Sequence, residues 1–293
     1  MKQCAFLTMD RLDDFVHYDY LLNEPLGQLG WNVTDVPWRG NDTDWDQFDV
    51  VVIRSPWDYQ DDPDRFMEVL QQIQDSSAQL ENSLDLVRWN IDKTYLKDLE
   101  QQGIGIVPTE WGTKDVGLEK ERLLQFYDYF NTEEIVIKPT ISAGADDTFR
   151  LTREGAKKQF SELKKVFANQ AFMVQPMMKH ILDEGEYSLI YFGEVYSHTL
   201  LKTPKDADFR VQEEHGGRLK TVEPEPLLRE ISDQLVTKID PTPLYSRVDM
   251  VRDGDTFLLM ELELIEPSLY FNMDPESPAR FARFLDGWME KTK

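Results

Sequence analysis

Hydrophobic and polar positions follow a strand–helix rhythm through the first eighty residues. Apolar stretches at 4–7, 31–36 and 50–53 predict short strands, and helical spacing over 18–29 and 64–73 predicts helices between and after them. Pro63 precedes the second helical stretch, where its fixed φ and missing N–H suit a helix start. This β-α-β-α-β order implies a small parallel sheet with helices on its faces. Ligands approach such sheets at the carboxyl ends of the strands. Here those ends deliver Asp10, Asp13 and Asp14, and then Arg54, Ser55, Trp57, Asp58 and Tyr59.

A second body is expected from about residue 83. A helix opening over 90–96 with an acidic first turn ends at Gly103 and Gly105, and 104–107 reads as a strand stopped by Pro108. A strand at 135–139 leads into small residues at 141–147, then a helix over 154–167 and a strand over 171–175. The remainder is richer in strands. The segments 186–192 and 195–202 meet at Gly193-Glu194, and 245–251 and 256–265 meet across Asp253-Gly254-Asp255, both hairpin signals. Helices are expected at 225–238 and 275–291, the last with Phe281, Phe284, Leu285 and Trp288 on one face. The fold class is α/β with α+β lobes, divided at 1–82, 83–175 and 176–293.

Composition narrows the partners. The 293 residues carry 32 Lys+Arg against 55 Asp+Glu, a net charge of −23, with 41% hydrophobic residues, enough for a sizeable core. Nucleic acid and anionic membranes both need a basic face, so neither is expected as a partner. An anionic small ligand stays possible if a few Lys and Arg converge. Much of the excess is N-terminal: residues 1–80 hold 16 acids and 5 bases, in runs such as Asp42, Asp44, Asp46 and Asp49 that suit solvated loops and helix starts. No run of 18 apolar residues predicts a membrane span. The opening residues read as a strand rather than a signal peptide. The single cysteine, Cys4, cannot form an intramolecular disulfide, and a reducing cytoplasmic setting is expected.

Three constellations could carry chemistry. Glu261 and Glu263 project from one face of a strand, and Asp249 lies on the adjoining strand. Glutamates in strands most often face solvent. Here the flanks are strongly apolar, and Arg247 is the one nearby cation, so a cation between the carboxylates is expected; hard oxygen ligands suit Mg²⁺ or Mn²⁺. The second set is basic and scattered: Lys93, Lys138, Arg150, Lys202, Arg210 and Arg247. Lys138 ends a strand before a small-residue loop, where it could hold phosphate oxygens alongside backbone N–H groups. The third runs from Phe172 to Met178 as a buried strand entering Gln175-Pro176, where a planar base could be read by Gln175 and packed by Met177 and Met178; Glu186 would reach a sugar hydroxyl. His17, His180, His198 and His215 show no zinc spacing, and no GxSxG turn anchors a serine nucleophile.

Taken in order, Lys93, Ile137-Lys138-Pro139 with its small-residue loop, Gln175, Gly185-Glu186, Arg247-x-Asp249 and Glu261-x-Glu263-x-x-x-Pro267 resemble the ATP-grasp superfamily of carboxylate–amine ligases. The likeness is to its prokaryotic glutathione synthetase-like branch, which includes the cyclo-ligase of cycloserine biosynthesis. The resemblance implies an N-terminal parallel-sheet domain, a central lid and a C-terminal antiparallel-sheet domain, with ATP between the last two. It implies Lys93, Lys138 and Lys202 on ATP, Gln175, Met177 and Met178 around the adenine, and Glu186 on the ribose. Asp249, Glu261 and Glu263 would hold two Mg²⁺, and Arg210 and Arg247 would face an acyl-phosphate. Glutathione synthetases usually place Asn where Glu263 stands, which argues against glutathione as the product. Asp146 and Asp147 depart from the glycine-rich version of the lid loop.

The implied reaction is attack of a substrate carboxylate on the γ-phosphate, then of an amine on the acyl-phosphate, giving an amide, ADP and phosphate. The alternatives are an ATP-binding sensor or partner protein without turnover, and a small-molecule kinase using the same cleft. For a small amino-acid or peptide substrate, Asp13, Arg54, Ser55 and Trp57 are the candidate contacts. An acid-rich mouth suits an amine, and Arg54 could take a carboxylate by a two-pronged hydrogen bond. The resemblance also implies a homodimer or homotetramer.

Overall fold

The computed structural model describes every residue except Asp14, Asn41, Ala143, Ala145, 206–208, Gln212, Glu214, His215, Thr292 and Lys293. Asp14 and His215, named above, lie outside the described residues.

Four parallel strands form the first sheet, in the order β2-β1-β3-β4: β1 Lys2–Thr8, β2 Trp31–Pro37, β3 Val50–Ser55 and β4 Gln79–Glu81. Every residue of β3 is buried, as expected for a strand covered on both faces. The predicted helix over 18–29 is instead a 3₁₀ turn, Asp19–Leu22, followed by α1, Asn23–Gln28. Pro25 explains the break, since it has no N–H to donate to the preceding turn. Helix α2, Pro63–Gln74, starts at Pro63 as expected, with the Asp62 carboxylate accepting from the Arg65 N–H, and buries Phe66, Val69, Leu70 and Ile73.

The helix expected from residue 90 begins only at Tyr95, and a helix not expected from the sequence precedes it. Ser83 caps α3, Leu84–Asn90, and α4 spans Tyr95–Gln101. The acidic turn belongs to the break between them. Asp92 accepts from the Thr94 N–H at 2.9 Å and from the Thr140 hydroxyl at 3.0 Å, while the Lys93 N–H donates to the Thr140 carbonyl at 2.8 Å. Lys93 is thereby pinned beside the next lobe. Residues 104–107 form no strand of their own; Ile106 makes one bridge to Leu259.

The second sheet is antiparallel, in the order β5-β8-β6-β7: β5 Glu110–Gly112, β6 Glu134–Pro139, β7 Phe149–Thr152 and β8 Phe172–Pro176. Helices α5, Lys120–Tyr129, and α6, Arg153–Val166, complete this lobe. Its core, including Leu123, Phe126, Ile135, Ile137, Phe167 and Val174, draws on residues 118–174 alone. A lobe with its own core can move as a unit.

The third sheet is antiparallel and five-stranded, in the order β11-β10-β9-β12-β13. The short helix α7, Lys179–Asp183, leads to β9 Glu186–Phe192, β10 Val195–Thr203 and β11 Arg218–Thr221; α8 Pro226–Val236, β12 Tyr245–Asp253, β13 Thr256–Glu263 and α9 Ser277–Lys291 follow. One face of this sheet shares a core with the first. Cys4, Phe6, Val50 and Val52 pack with Ile190, Phe192, Tyr245 and Phe281. The outer lobes are therefore joined by a common core, and the middle lobe keeps its own.

Candidate active site

The chemistry starts from the β12–β13 register. Arg247 pairs with Glu263, and Asp249 with Glu261. The pleat puts all four side chains on one face. The Arg247 Nε lies 3.2 and 3.1 Å from the two Asp249 oxygens, and Nη2 reaches Asp249 at 3.0 Å and also donates to Glu263.

Cations from distant segments complete the set. Lys202 on β10 lies 2.5 Å from Glu186 and 3.4 Å from Asp249, which also accepts from the Ser188 hydroxyl. Lys93 Nζ lies 3.3 Å from Glu261 and donates to the Ser142 carbonyl at 2.6 Å. The expectation that Arg247 is the one available cation is thus corrected: each acid has its own. Sequence distance hid the pairing, since Lys93 and Lys202 arrive through the α3–α4 break and the hairpin partner of β9.

Charge and burial set the protonation. Burial alone would raise the Asp249 and Glu261 carboxyls, but Arg247 and Lys202 hold the first below its ordinary value, and Lys93 and Lys138 hold the second. Glu263 is pushed up to about 8 by burial and by Asp249 and Glu261, against the pull of Arg247. Burial, followed by repulsion from Glu261, pushes Glu266 up to about 7 despite Lys93. Lys138 is shifted down by burial, with Glu261 opposing.

Most of these groups meet in a cavity of about 480 Å³ whose wall draws on the second and third sheets and on loops of the first lobe. Lys93, Lys138, Arg210, Arg247, Glu186, Glu261 and Glu263 all line it. Gln175 is buried, donates to the Thr109 hydroxyl at 2.9 Å, and lines the wall with Met177, Met178, Ile181, Phe209 and Val211. That stretch is an apolar slot bearing one amide, a shape suited to a planar heterocycle.

The expected substrate contacts separate. Trp57 lines the cavity, its indole N–H donating to the Glu266 carbonyl at 3.0 Å. Arg54 is 1% exposed and outside the lining, and its fork serves Asp19, at 3.1 and 2.9 Å, and the Pro267 carbonyl, at 3.0 Å. It holds the first lobe against the third instead of waiting for a carboxylate. Ser55 is buried and also off the wall, and exposed Asp13 pairs with Arg11 at 3.2 Å. Glu266 was missed by sequence reasoning, although it stands between Glu263 and Pro267 in the motif already singled out.

Among the described residues, no three His, Cys, Asp or Glu side chains are grouped closely enough to hold a metal alone. Mg²⁺ does not require this, because it takes one or two carboxylates and completes its shell with phosphate and water. Glu261 and Glu263, hard oxygen donors on the cavity wall, fit that demand, with Asp249 2% exposed behind them.

The family model for the ATP-grasp domain of prokaryotic glutathione synthetase matches residues 106–267. The chain belongs to this family. As an ATP-grasp protein it is an ATP-dependent ligase. A model for the N-terminal domain of D-cycloserine synthetase DcsG matches residues 4–82. The cycloserine biosynthesis protein DcsG of Streptomyces lavendulae is 28% identical over 95% of this chain and 96% of its own. The crystal structure of D-cycloserine synthetase DcsG superposes with a TM-score of 0.86 at 25% identity, covering 98% of this chain and 99% of that one. D-alanine–D-alanine ligase from Bacillus anthracis, complexed with ATP, shares the ATP-grasp fold at a TM-score of 0.67 and 14% identity, covering 99% and 97%. No described helix is long and apolar enough to cross a membrane.

Proposed function

We propose that this ATP-grasp ligase joins a carboxylate to an amine of a small amino-acid or peptide substrate, through an acyl-phosphate, releasing ADP and phosphate. The observation that carries this reading is the meeting of Lys93, Lys138, Arg210 and Arg247 with Glu261 and Glu263 in one cavity. Likeness to DcsG, a D-cycloserine synthetase, supports a small amino-acid-derived substrate.

In this account Gln175, Met177 and Met178 hold the adenine, and Glu186, fixed by Lys202, holds the ribose. Lys93 and Lys138 bind the phosphate chain. Glu261 and Glu263, with Asp249 behind them, would hold Mg²⁺, which would supply neutralising charge for the phosphate chain. Arg247 and Arg210 stabilise the charge that develops as a carboxylate oxygen attacks the γ-phosphorus and ADP leaves. The amine then attacks the acyl carbon, and phosphate departs. Positioning and exclusion of water do most of the work.

The test is ADP release across pairs of D- and L-amino acids with product masses. An amide whose formation matches ADP release supports the reading. A phosphorylated product makes the protein a kinase, and tight ATP binding with no turnover makes it a sensor.

A further inference from the structure

Five glutamates among the described residues line the cavity, and four are committed. Glu186 faces Lys202, Glu261 faces Lys93, Glu263 faces Arg247, and Glu213 accepts from the Tyr18 hydroxyl at 3.1 Å. Glu266 has no ion-pair partner among the described residues. Lys93, the cation that acts on it most strongly, is taken by Glu261 and the Ser142 carbonyl.

The backbone beneath Glu266 is fixed from two sides. Its carbonyl accepts from the Trp57 indole, and the next carbonyl, of Pro267, accepts from Arg54. On so pinned a segment the carboxylate accepts from its own backbone N–H and keeps further acceptor positions for a ligand, as a binding group must. The wall beside it, contributed by the first lobe, is aromatic: Trp57, Phe15 at 5.7 Å between ring centroids, and Tyr59. A carboxylate next to aromatic faces suits an ammonium group, which gains from both. A second anion would be repelled.

We propose that Glu266 is the specificity-determining residue for the ligase's amine substrate, receiving an ammonium group on a small amino acid. The assignment rests on the ligase reading above and adds to it which substrate charge is selected and by which residue.

The experiment uses the full chain saturated with ADP and MgCl₂. It is titrated calorimetrically with each D- and L-amino acid and with the matching 2-hydroxy acid, which replaces the ammonium by a hydroxyl. At least one amino acid should bind ten-fold or more tightly than its hydroxy-acid counterpart. Glu266→Gln should abolish that preference and leave the affinities for the hydroxy acid and for ADP unchanged. Glu266→Asp, which keeps the charge one methylene back, should retain part of it and guards against a folding defect in the amide variant. Equal affinity of the two ligand series, a preference that survives Glu266→Gln, or no amino-acid binding to the ADP-saturated chain would each overturn the proposal. Failure to bind ADP with Mg²⁺ would overturn the ligase reading instead.

Discussion

Arg247 and Asp249 stand two residues apart on β12, and the guanidinium grips both oxygens of the carboxylate, with contacts of 3.0 to 3.2 Å. Both side chains are buried, and Lys202 adds a second cation to the same carboxylate. Asp249→Asn would leave two buried cations short of their counter-charge. Removing one partner of a buried pair costs about 3–5 kcal/mol. Urea unfolding of the variant should show a loss of that order; a loss below about 1 kcal/mol contradicts the role given to Asp249.

Glu261 and Glu263 already face Lys93 and Arg247, so a divalent ion alone gains little from them. Phosphate oxygens supply the remaining ligands. Mg²⁺ alone should barely raise the melting temperature, whereas Mg²⁺ with ADP should raise it clearly, through preferential binding to the folded state. An equal rise with the metal alone would contradict this.

Lys138 lines the cavity and carries a charge that burial disfavours. Lys138→Met should therefore leave stability unchanged or improved. Loss of a charge-assisted hydrogen bond to phosphate should weaken ATP binding about 10- to 100-fold. Calorimetric titration with a non-hydrolysable ATP analogue checks both the affinity and its direction.

His198 makes a pH-dependent contribution. Arg280 donates to the Ser197 Oγ at 3.1 Å, the Ser197 hydroxyl can then donate to Nδ1 at 2.9 Å, and Nε2–H donates to the Leu269 carbonyl at 3.1 Å. Both ring nitrogens are satisfied in the neutral form, and burial pushes the group down to about 4 from its ordinary 6.5, with Asp274 opposing. Between those values the unfolded chain binds the proton and the folded chain does not. The stabilisation is thus complete above about pH 6.5 and is lost as pH falls toward 4, by about 3 kcal/mol in all. Urea midpoints from pH 7.5 to 4.5 should fall more steeply for the native chain than for His198→Phe; parallel curves would contradict the assignment.

The elements legible in the sequence were those whose local pattern matches their burial. The strands β1 and β3 read as continuous apolar runs because both faces are covered, and β12 and β13 were marked by Asp253-Gly254-Asp255 at their turn. Less regular elements were missed. The three-residue strands β4 and β5 are too short to show a period, and α3 depended on Ser83, a cap with only one helical turn of apolar residues beyond it. At the site, the residue types on β12 and β13 were readable. Their pairing was not, because Lys202 meets its acids only once β10, β9 and β12 align, and Lys93 only once the α3–α4 break docks against Thr140. Arg54 misled for a related reason: its partners, Asp19 on a 3₁₀ turn and the Pro267 carbonyl of the third lobe, are distant in sequence, so an arginine tying two lobes together looked like one waiting for a ligand.

The central claim is that a substrate carboxylate takes the γ-phosphoryl group before an amine displaces it. Its most direct test is the mass of the phosphate released when the protein turns over ATP with a mixture of D- and L-amino acids whose carboxylates carry ¹⁸O. Attack by the carboxylate, followed by cleavage of the acyl carbon–oxygen bond, places one ¹⁸O in each released phosphate. Phosphate without the label would mean that water, not a carboxylate, received the phosphoryl group, and would contradict the ligase mechanism.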